Sequence, residues 1–322
     1  MHVTVLSTGG TIASTAGATG ASPTMDGEDL LADVTDVPPG LDISVEAVAQ
    51  VPSFEVDRET LTAIGDRVST LAADDATDAV VLTHGTDTME ETAYYLDVVH
   101  RPSIPVVLTG AQRRPDETSP DGPANLRSAL LTAFAFREFE GVFVAFDDEV
   151  HAAQTVTKTH TTALGTFRSP DAGPVATLDH DGVHLHRKPQ SESLHLPDAS
   201  LEPTVYTVKC GGRATGELVD AAVERGADGL VVEGTGLGNV PPAAGRAVVA
   251  ALDDGIPTVL TSRCQGGRTI PIYDGVGGGA RLDDHGAIVA GSLPSQKARI
   301  ALTLAIDACD GLPEIRSLFD EA

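Results

Sequence analysis

Short apolar runs, each followed by a stretch of helical periodicity, fill the first half of this sequence and leave few folds open to it. Val80-Val81-Leu82 precedes a helical pattern from Glu90 to Val99. The run Pro105-Val106-Val107-Leu108 precedes a second helix, roughly Ala124 to Arg137, and Val142-Phe143-Val144 follows it. The first strand begins almost at once, at His2-Val3-Thr4-Val5-Leu6-Ser7. Strands that alternate with amphipathic helices indicate βαβ units around a parallel sheet. Right-handed crossovers bring the C-terminal ends of such strands to one edge, where ligands bind.

A polar stretch containing proline, Arg187 to Pro203, interrupts this rhythm and reads as a linker. Beyond it, strands are expected at Val205–Val208, Gly229–Val232 and Thr258–Thr261, with helices at Glu217–Glu224 and Pro242–Leu252. The expectation is therefore a two-domain α/β protein. A parallel-sheet catalytic domain covers 1–186, a linker 187–203, and a smaller α/β domain 204–322. With 322 residues, each part is long enough to bury its own core.

Charge narrows the partners. Forty-seven acidic residues face 21 basic ones, a net of −26, and the only lysines are Lys158, Lys188, Lys209 and Lys297. Such a surface repels a phosphate backbone, so nucleic acid is not an expected partner. The acids are spread among core-forming residues rather than gathered into a tail. Self-repulsion of this size requires screening, which points to a salt-rich cytosol. No apolar run approaches the ~20 residues of a membrane span, and the N-terminus lacks the basic and apolar regions of a secretory signal. A cytoplasmic location follows as the expectation.

Cys210, Cys264 and Cys309 form no CxxC pair, so neither a disulfide framework nor a thiolate metal site is expected. His180, His184 and His186 lie close together and read as part of a surface loop. No HExxH or similar cluster supports metal catalysis.

Three segments carry chemistry. Ser7-Thr8-Gly9-Gly10-Thr11-Ile12-Ala13 follows the first strand, and its two glycines permit a sharp turn that exposes amides to a ligand. A phosphate loop lacks its third glycine and its Gly-Lys-Ser/Thr here, while a plain turn capped by Thr11 remains open. Thr83-His84-Gly85-Thr86-Asp87-Thr88-Met89-Glu90-Glu91 stands where a strand enters a helix. Ordinary N-capping explains its Thr and Asp, and the helix dipole explains its glutamates. The alternative is a hydroxyl oriented by a carboxylate that also holds a substrate ammonium. In Val156-Thr157-Lys158-Thr159-His160-Thr161-Thr162, Lys158 is either a solvated surface charge or, beside Thr86, the group that activates a hydroxyl.

Thr8-Gly9-Gly10-Thr11-Ile12-Ala13 and the segment Thr83–Glu91 resemble the two signatures of the bacterial-type L-asparaginases. The resemblance continues through Gly110-Ala111-Gln112-Arg113, Asp121-Gly122-Pro123-Ala124-Asn125-Leu126, Val156-Thr157-Lys158-Thr159 and Gln296-Lys297-Ala298-Arg299, and so spans essentially the whole chain in order. It implies hydrolysis of L-asparagine, and more weakly L-glutamine, through an acyl-enzyme, with no metal or cofactor. Thr11 matches the nucleophile, and Thr86, Asp87 and Lys158 match the second catalytic group. Asp87 also binds the substrate's α-amino group. Ser53 and Gly85 fall in the substrate site, and the Ala111 carbonyl lines the amide pocket. Asn239 matches an asparagine supplied across a subunit interface, which implies a homodimer or homotetramer. The charge pattern adds the expectation of a halophilic archaeal form.

Three departures stand out. The family carries a tyrosine on the loop after the nucleophile, yet Ser14–Gly27 has none. The glutamate expected from a neighbouring subunit falls near Gly277–Gly279, where no acid exists. Phe54 replaces a polar residue that usually follows Ser53. Tyr273 from a neighbouring subunit is one candidate for the missing phenol, and a packed aromatic is the other. The resemblance leaves two further readings. One is the ammonia-supplying subunit of a tRNA-dependent amidotransferase, disfavoured by the acidic surface and by Thr11 lying so near the chain start. The other is a binding protein that has lost catalysis. The Ser14–Gly27 loop, rich in Gly, Ala, Ser and Thr, is expected to move.

Overall fold

The computed structural model describes residues 1–17, 20–25, 27–191 and 193–320. It resolves into two compact units, Met1–Ser193 and Leu194–Ala322.

The first unit is built on an eight-stranded sheet. Five of its strands are parallel neighbours, in the order Asp42–Val51, His2–Gly9, Ala79–Thr83, Pro105–Thr109, Gly141–Phe146. Numbered along the chain this order is 2-1-3-4-5, the doubly wound arrangement in which the connections part on either side of the first strand. Every residue of Ala79–Thr83, Pro105–Thr109 and Gly141–Phe146 is buried. Continuous apolar runs are what strands covered on both faces require. On one face Val3, Val5, Val81, Val107 and Phe143 share a core with Leu30 of the helix Gly27–Ala32 and with Leu126 and Leu130 of the helix Gly122–Ala135. The helix Arg58–Ala72 packs against Asp42–Val51 and Ala79–Thr83.

The sheet departs from the all-parallel expectation at one edge, where Glu149–Ala152, Ala176–Asp179 and Gly182–Leu185 add three antiparallel strands. Asp147 and Asp148, both with positive φ (48° and 60°), make the two-residue turn that reverses the chain. Left-handed conformation at both central positions matches the twist of a tight hairpin. This edge corrects the reading of the His180–His186 segment as a surface loop. His184 Nε2 meets Asp179 Oδ1 at 2.9 Å across the hairpin, and His186 Nε2 meets Thr177 Oγ1 at 3.0 Å. Among the described residues no group of His, Cys, Asp and Glu is arranged to hold a metal.

The expected helix Glu90–Val99 is α-helical at Met89–Tyr95 and widens into a π-helical turn at Leu96–His100. Segment 187–203 contains no helix or strand among its described residues, and Glu192 lies outside them. Ser191 Oγ donates to the buried Asp97 carboxylate at 2.8 Å, which ties the end of the first unit to that helix.

The second unit has a four-stranded parallel sheet, Val205–Lys209, Gly229–Gly234, Thr258–Ser262 and Ile288–Val289 in that order. Its helices include Glu217–Glu224 and Pro242–Asp253, and Val232, Leu260, Val248 and Leu282 lie in its core. Among the described residues no helix is long and apolar enough to cross a membrane.

Candidate active site

Register places the site. Ser7, Thr83 and Thr109 stand side by side on adjacent parallel strands. Three or four residues further on, the three chains present Thr11, Thr86 and Gln112 at the C-terminal edge of the sheet. The connections diverge between the first and third strands, which leaves a crevice there. Thr8 Oγ1 donates to the Thr83 carbonyl (2.8 Å) and the His84 amide to the Thr109 carbonyl (2.8 Å), so the strand ends stay joined where the ladder stops.

Gly9 and Gly10 make the expected sharp turn, with φ of 96° and 81°. Gly10 has ψ of −175°, a region that only glycine occupies without strain. A Cβ at Gly10 would stand 2.4 Å from the Gly85 backbone, and one at Gly85 would stand 2.5 Å from Ser53 Oγ. The three loops carrying Thr11, Thr86 and Ser53 therefore stack at backbone distance, and two missing side chains make the approach possible.

At the head of the helix Met89–Tyr95, capping and function can be told apart. Thr88 is its N-cap residue but makes no side-chain capping bond, and its hydroxyl donates to the Ser53 carbonyl at 2.8 Å. The Asp87 amide donates to Ser53 Oγ at 3.2 Å. Lys158 Nζ donates to Thr86 Oγ1 and to Asp87 Oδ1, each at 2.8 Å. None of these side chains serves the helix end. The Lys158 side chain is 13% exposed while that of Asp87 is 59% exposed, so the cation is sheltered and the carboxylate opens outward. Buried Glu90 accepts the Lys158 backbone amide (3.1 Å), which fixes that short strand to the helix.

His84 lies fully buried beneath this loop. Its Nδ1 bonds the Gly85 carbonyl at 2.8 Å, and its Nε2 meets the Thr92 hydroxyl at 3.0 Å. A carbonyl only accepts, so Nδ1 carries a hydrogen, and in the neutral ring Nε2 is then the acceptor of the Thr92 hydroxyl. Burial lowers its pKa to about 4. The imidazole is thus a neutral strut.

Thr11, Ser53, Phe54, Gly85, Thr86 and Asp87 line one cleft of about 300 Å³ together with Gly10, Ser14, Ala21, Pro52, Gln112, Arg114 and Glu117. Lys158 joins it through Thr86 and Asp87. The Ala111 methyl is buried in the core, and the neighbouring Gln112 reaches the cleft. Phe54 is exposed at the lip. Asn239 and Tyr273 belong to the second unit. Asn239 Oδ1 accepts the Gly279 amide at 3.0 Å, and Tyr273 is exposed rather than packed. A Cβ at Gly277 or Gly278 would lie 2.0 Å from the Val240 carbonyl or 2.1 Å from the Tyr273 carbonyl, so the folded backbone itself excludes a glutamate at either position.

Sequence reading did not single out Thr88, Glu90, Arg114 or Glu117. Thr88 and Glu90 were visible inside the second signature, although the partners they hold are distant in sequence. Arg114 and Glu117 sit in a turn with no periodicity to mark it. Within Ser14–Gly27, expected as a loop, Ser14–Gly17 and Gly20–Pro23 pair as antiparallel strands and Gly27 begins the helix Gly27–Ala32. Residues 18, 19 and 26 lie outside the described part.

Residues 2–191 match the family described as Asparaginase, N-terminal, and residues 204–319 match the Glutaminase/Asparaginase C-terminal domain. The L-asparaginase of Bacillus licheniformis is 33% identical over 305 residues, 94% of each chain. A probable L-asparaginase of Deinococcus radiodurans is 35% identical over 99% of this chain and 97% of its own. A glutamyl-tRNA(Gln) amidotransferase subunit of Methanosphaera stadtmanae is 30% identical over 98% of this chain and 74% of its own. The two family matches follow one another along nearly the whole sequence, and relatives of similar length align from end to end. This chain belongs to the asparaginase family.

Proposed function

We propose that this chain hydrolyses L-asparagine to L-aspartate and ammonia, with Thr11 as nucleophile. The observation that carries this reading is the Lys158 ammonium, which bridges the Thr86 hydroxyl and the Asp87 carboxylate, two residues that line one cleft with Thr11. A zwitterionic amino acid finds both of its charges answered there. Asp87, open to the cleft, receives the α-ammonium. Ser53 Oγ already accepts the Asp87 amide and keeps its hydrogen for the α-carboxylate. These anchors set the distance to the reacting carbon.

Thr11 Oγ adds to the side-chain amide carbon as its proton passes to the departing nitrogen. The C–N bond breaks, ammonia leaves, and an aspartyl ester remains on Thr11. Water then adds to the ester carbon, the C–O bond breaks, and the proton returns to Thr11. A threonine hydroxyl is a poor nucleophile without help. In the second half-reaction Lys158 and Thr86 form the polar group that handles the proton of the attacking water. Glutamine, one methylene longer, is a weaker substrate by about 1–3 kcal/mol.

The acidic composition supports a salt-rich cytoplasm as the working environment. A homodimer or homotetramer is supported by the exposed apolar run Ile270, Ile272, Tyr273 and Val276. Ammonia release from L-asparagine and L-glutamine in molar potassium chloride tests the activity, with Thr86→Ala as control. Release from asparagine that the variant loses supports the reading, and no release from a folded wild-type protein refutes it.

A further inference from the structure

The hairpin that continues from Thr11 forms one wall of the cleft, contributing Ser14 and Ala21. At its foot it is well held. Ser14 Oγ donates to the Gly10 carbonyl (2.7 Å), and the amides of Thr24 and Met25 both donate to the Ala13 carbonyl (2.8 and 3.0 Å). Halfway along, Ala16 pairs with Ala21, and its amide points off the ladder to Asp116 Oδ2 at 2.8 Å.

Asp116 is itself fixed. Its Oδ1 accepts Arg114 Nε at 2.9 Å, and Arg114 Nη1 lies 3.2 Å from Glu117 Oε1. Glu117 Oε2 accepts the Arg114 amide at 2.9 Å. The root of the turn is clamped by Asp121, which accepts the amides of Gln112 and Arg113 and one hydrogen of Asn125 Nδ2. Gln112, Arg114 and Glu117 line the cleft with the hairpin. One charge-assisted bond thus joins two walls that are more than 90 residues apart in sequence, and such bonds are about twice as strong as neutral ones.

We infer that Asp116 is a positioning residue: it pins the hairpin to the 112–121 turn through the Ala16 amide and so keeps Thr11 aimed. The inference rests on the proposed hydrolysis. The path to Thr11 is short, because the strand that Asp116 holds also carries Ser14, whose hydroxyl grips the Gly10 carbonyl on the other side of Thr11. The Ala16 amide and then Arg114 hold the Asp116 carboxyl below its ordinary range, in accord with this geometry. The substrate anchors Ser53 and Asp87 lie on other loops. Loss of the pin therefore falls on kcat rather than on KM.

Asp116→Ala and Asp116→Asn test this in two readouts. Hydrogen exchange of the 14–17 segment needs no substrate, and it is expected to speed up in Asp116→Ala with the melting temperature unchanged. Asparagine turnover is expected to show kcat lowered roughly tenfold to a hundredfold, the cost of a misplaced reacting group, with KM within about twofold. Asp116→Asn keeps an acceptor oxygen and is expected to retain most of kcat. Unaltered exchange in Asp116→Ala overturns the pin, as does equal loss of kcat in both variants. A wild-type protein inactive on asparagine counts against the proposed function instead, and the exchange experiment still decides the pin.

Discussion

Acid should destabilise this fold through His84, and the size of the effect follows from its surroundings. The ring is fully buried and, when neutral, donates through Nδ1 to the Gly85 carbonyl and accepts the Thr92 hydroxyl at Nε2, so a second ring proton would leave a desolvated charge in the core. Its pKa falls from 6.5 to about 4. Above pH 6.5 the ring is neutral in both states and the full stability is present. As pH drops below 6.5 the unfolded chain takes up a proton that the folded chain refuses, and stability is lost until about pH 4. At ~1.36 kcal/mol per pH unit the whole loss is about 3 kcal/mol, with about 2.5 kcal/mol already gone by pH 4.5. Urea unfolding in molar potassium chloride at pH 7.5 and 4.5, on wild type and His84→Gln, measures it. Glutamine does not titrate, and other groups cancel in the comparison, including the buried Asp97, whose pKa burial raises. The stability advantage of wild type over the variant should shrink by about 2.5 kcal/mol between the two pH values. An advantage that does not change with pH would refute the neutral-strut account.

Three further predictions concern packing, salt and specificity. Gly10→Ala places a methyl 2.4 Å from the Gly85 backbone in a glycine-only conformation, so its melting temperature should fall steeply and its activity vanish; Gly211→Ala, whose methyl meets nothing within 4 Å, is the neutral control. Lowering potassium chloride from about 1 M to 0.1 M lengthens the screening distance from ~3 to ~10 Å. With a net charge of −26, both melting temperature and activity should fall, and no change would count against salt adaptation. The ratio of kcat/KM for asparagine over glutamine should lie between roughly 10 and 200, the value of one methylene, and a ratio near one would show that the anchors do not fix the substrate's length.

The sequence made the fully buried strands and the loops that follow them legible, because strands covered on both faces read as continuous apolar runs. Asp42–Val51 was not legible. Its residues are only partly buried and mix acids with valines, as suits the sheet edge. The antiparallel edge was missed because Asp147-Asp148 makes a turn that Asn-Gly would have announced. Thr11, Thr86, Asp87 and Lys158 could be named from their segments, whereas the use of Thr88 could not. A threonine at a helix start predicts a cap, and only the approach of Ser53 diverts its hydroxyl. Arg114, Asp116 and Glu117 carry no pattern at all, and they acquire meaning only when the hairpin lies beside them.

In the proposed hydrolysis Thr11, not Thr86, carries the acyl group. Slowing the second half-reaction with Lys158→Met, quenching in acid after mixing with L-asparagine, and mapping the modified peptide by mass spectrometry tests it directly. An aspartyl ester on the peptide containing Thr11 is the predicted result. An ester on Thr86, or ammonia released with no ester on either threonine, would contradict it.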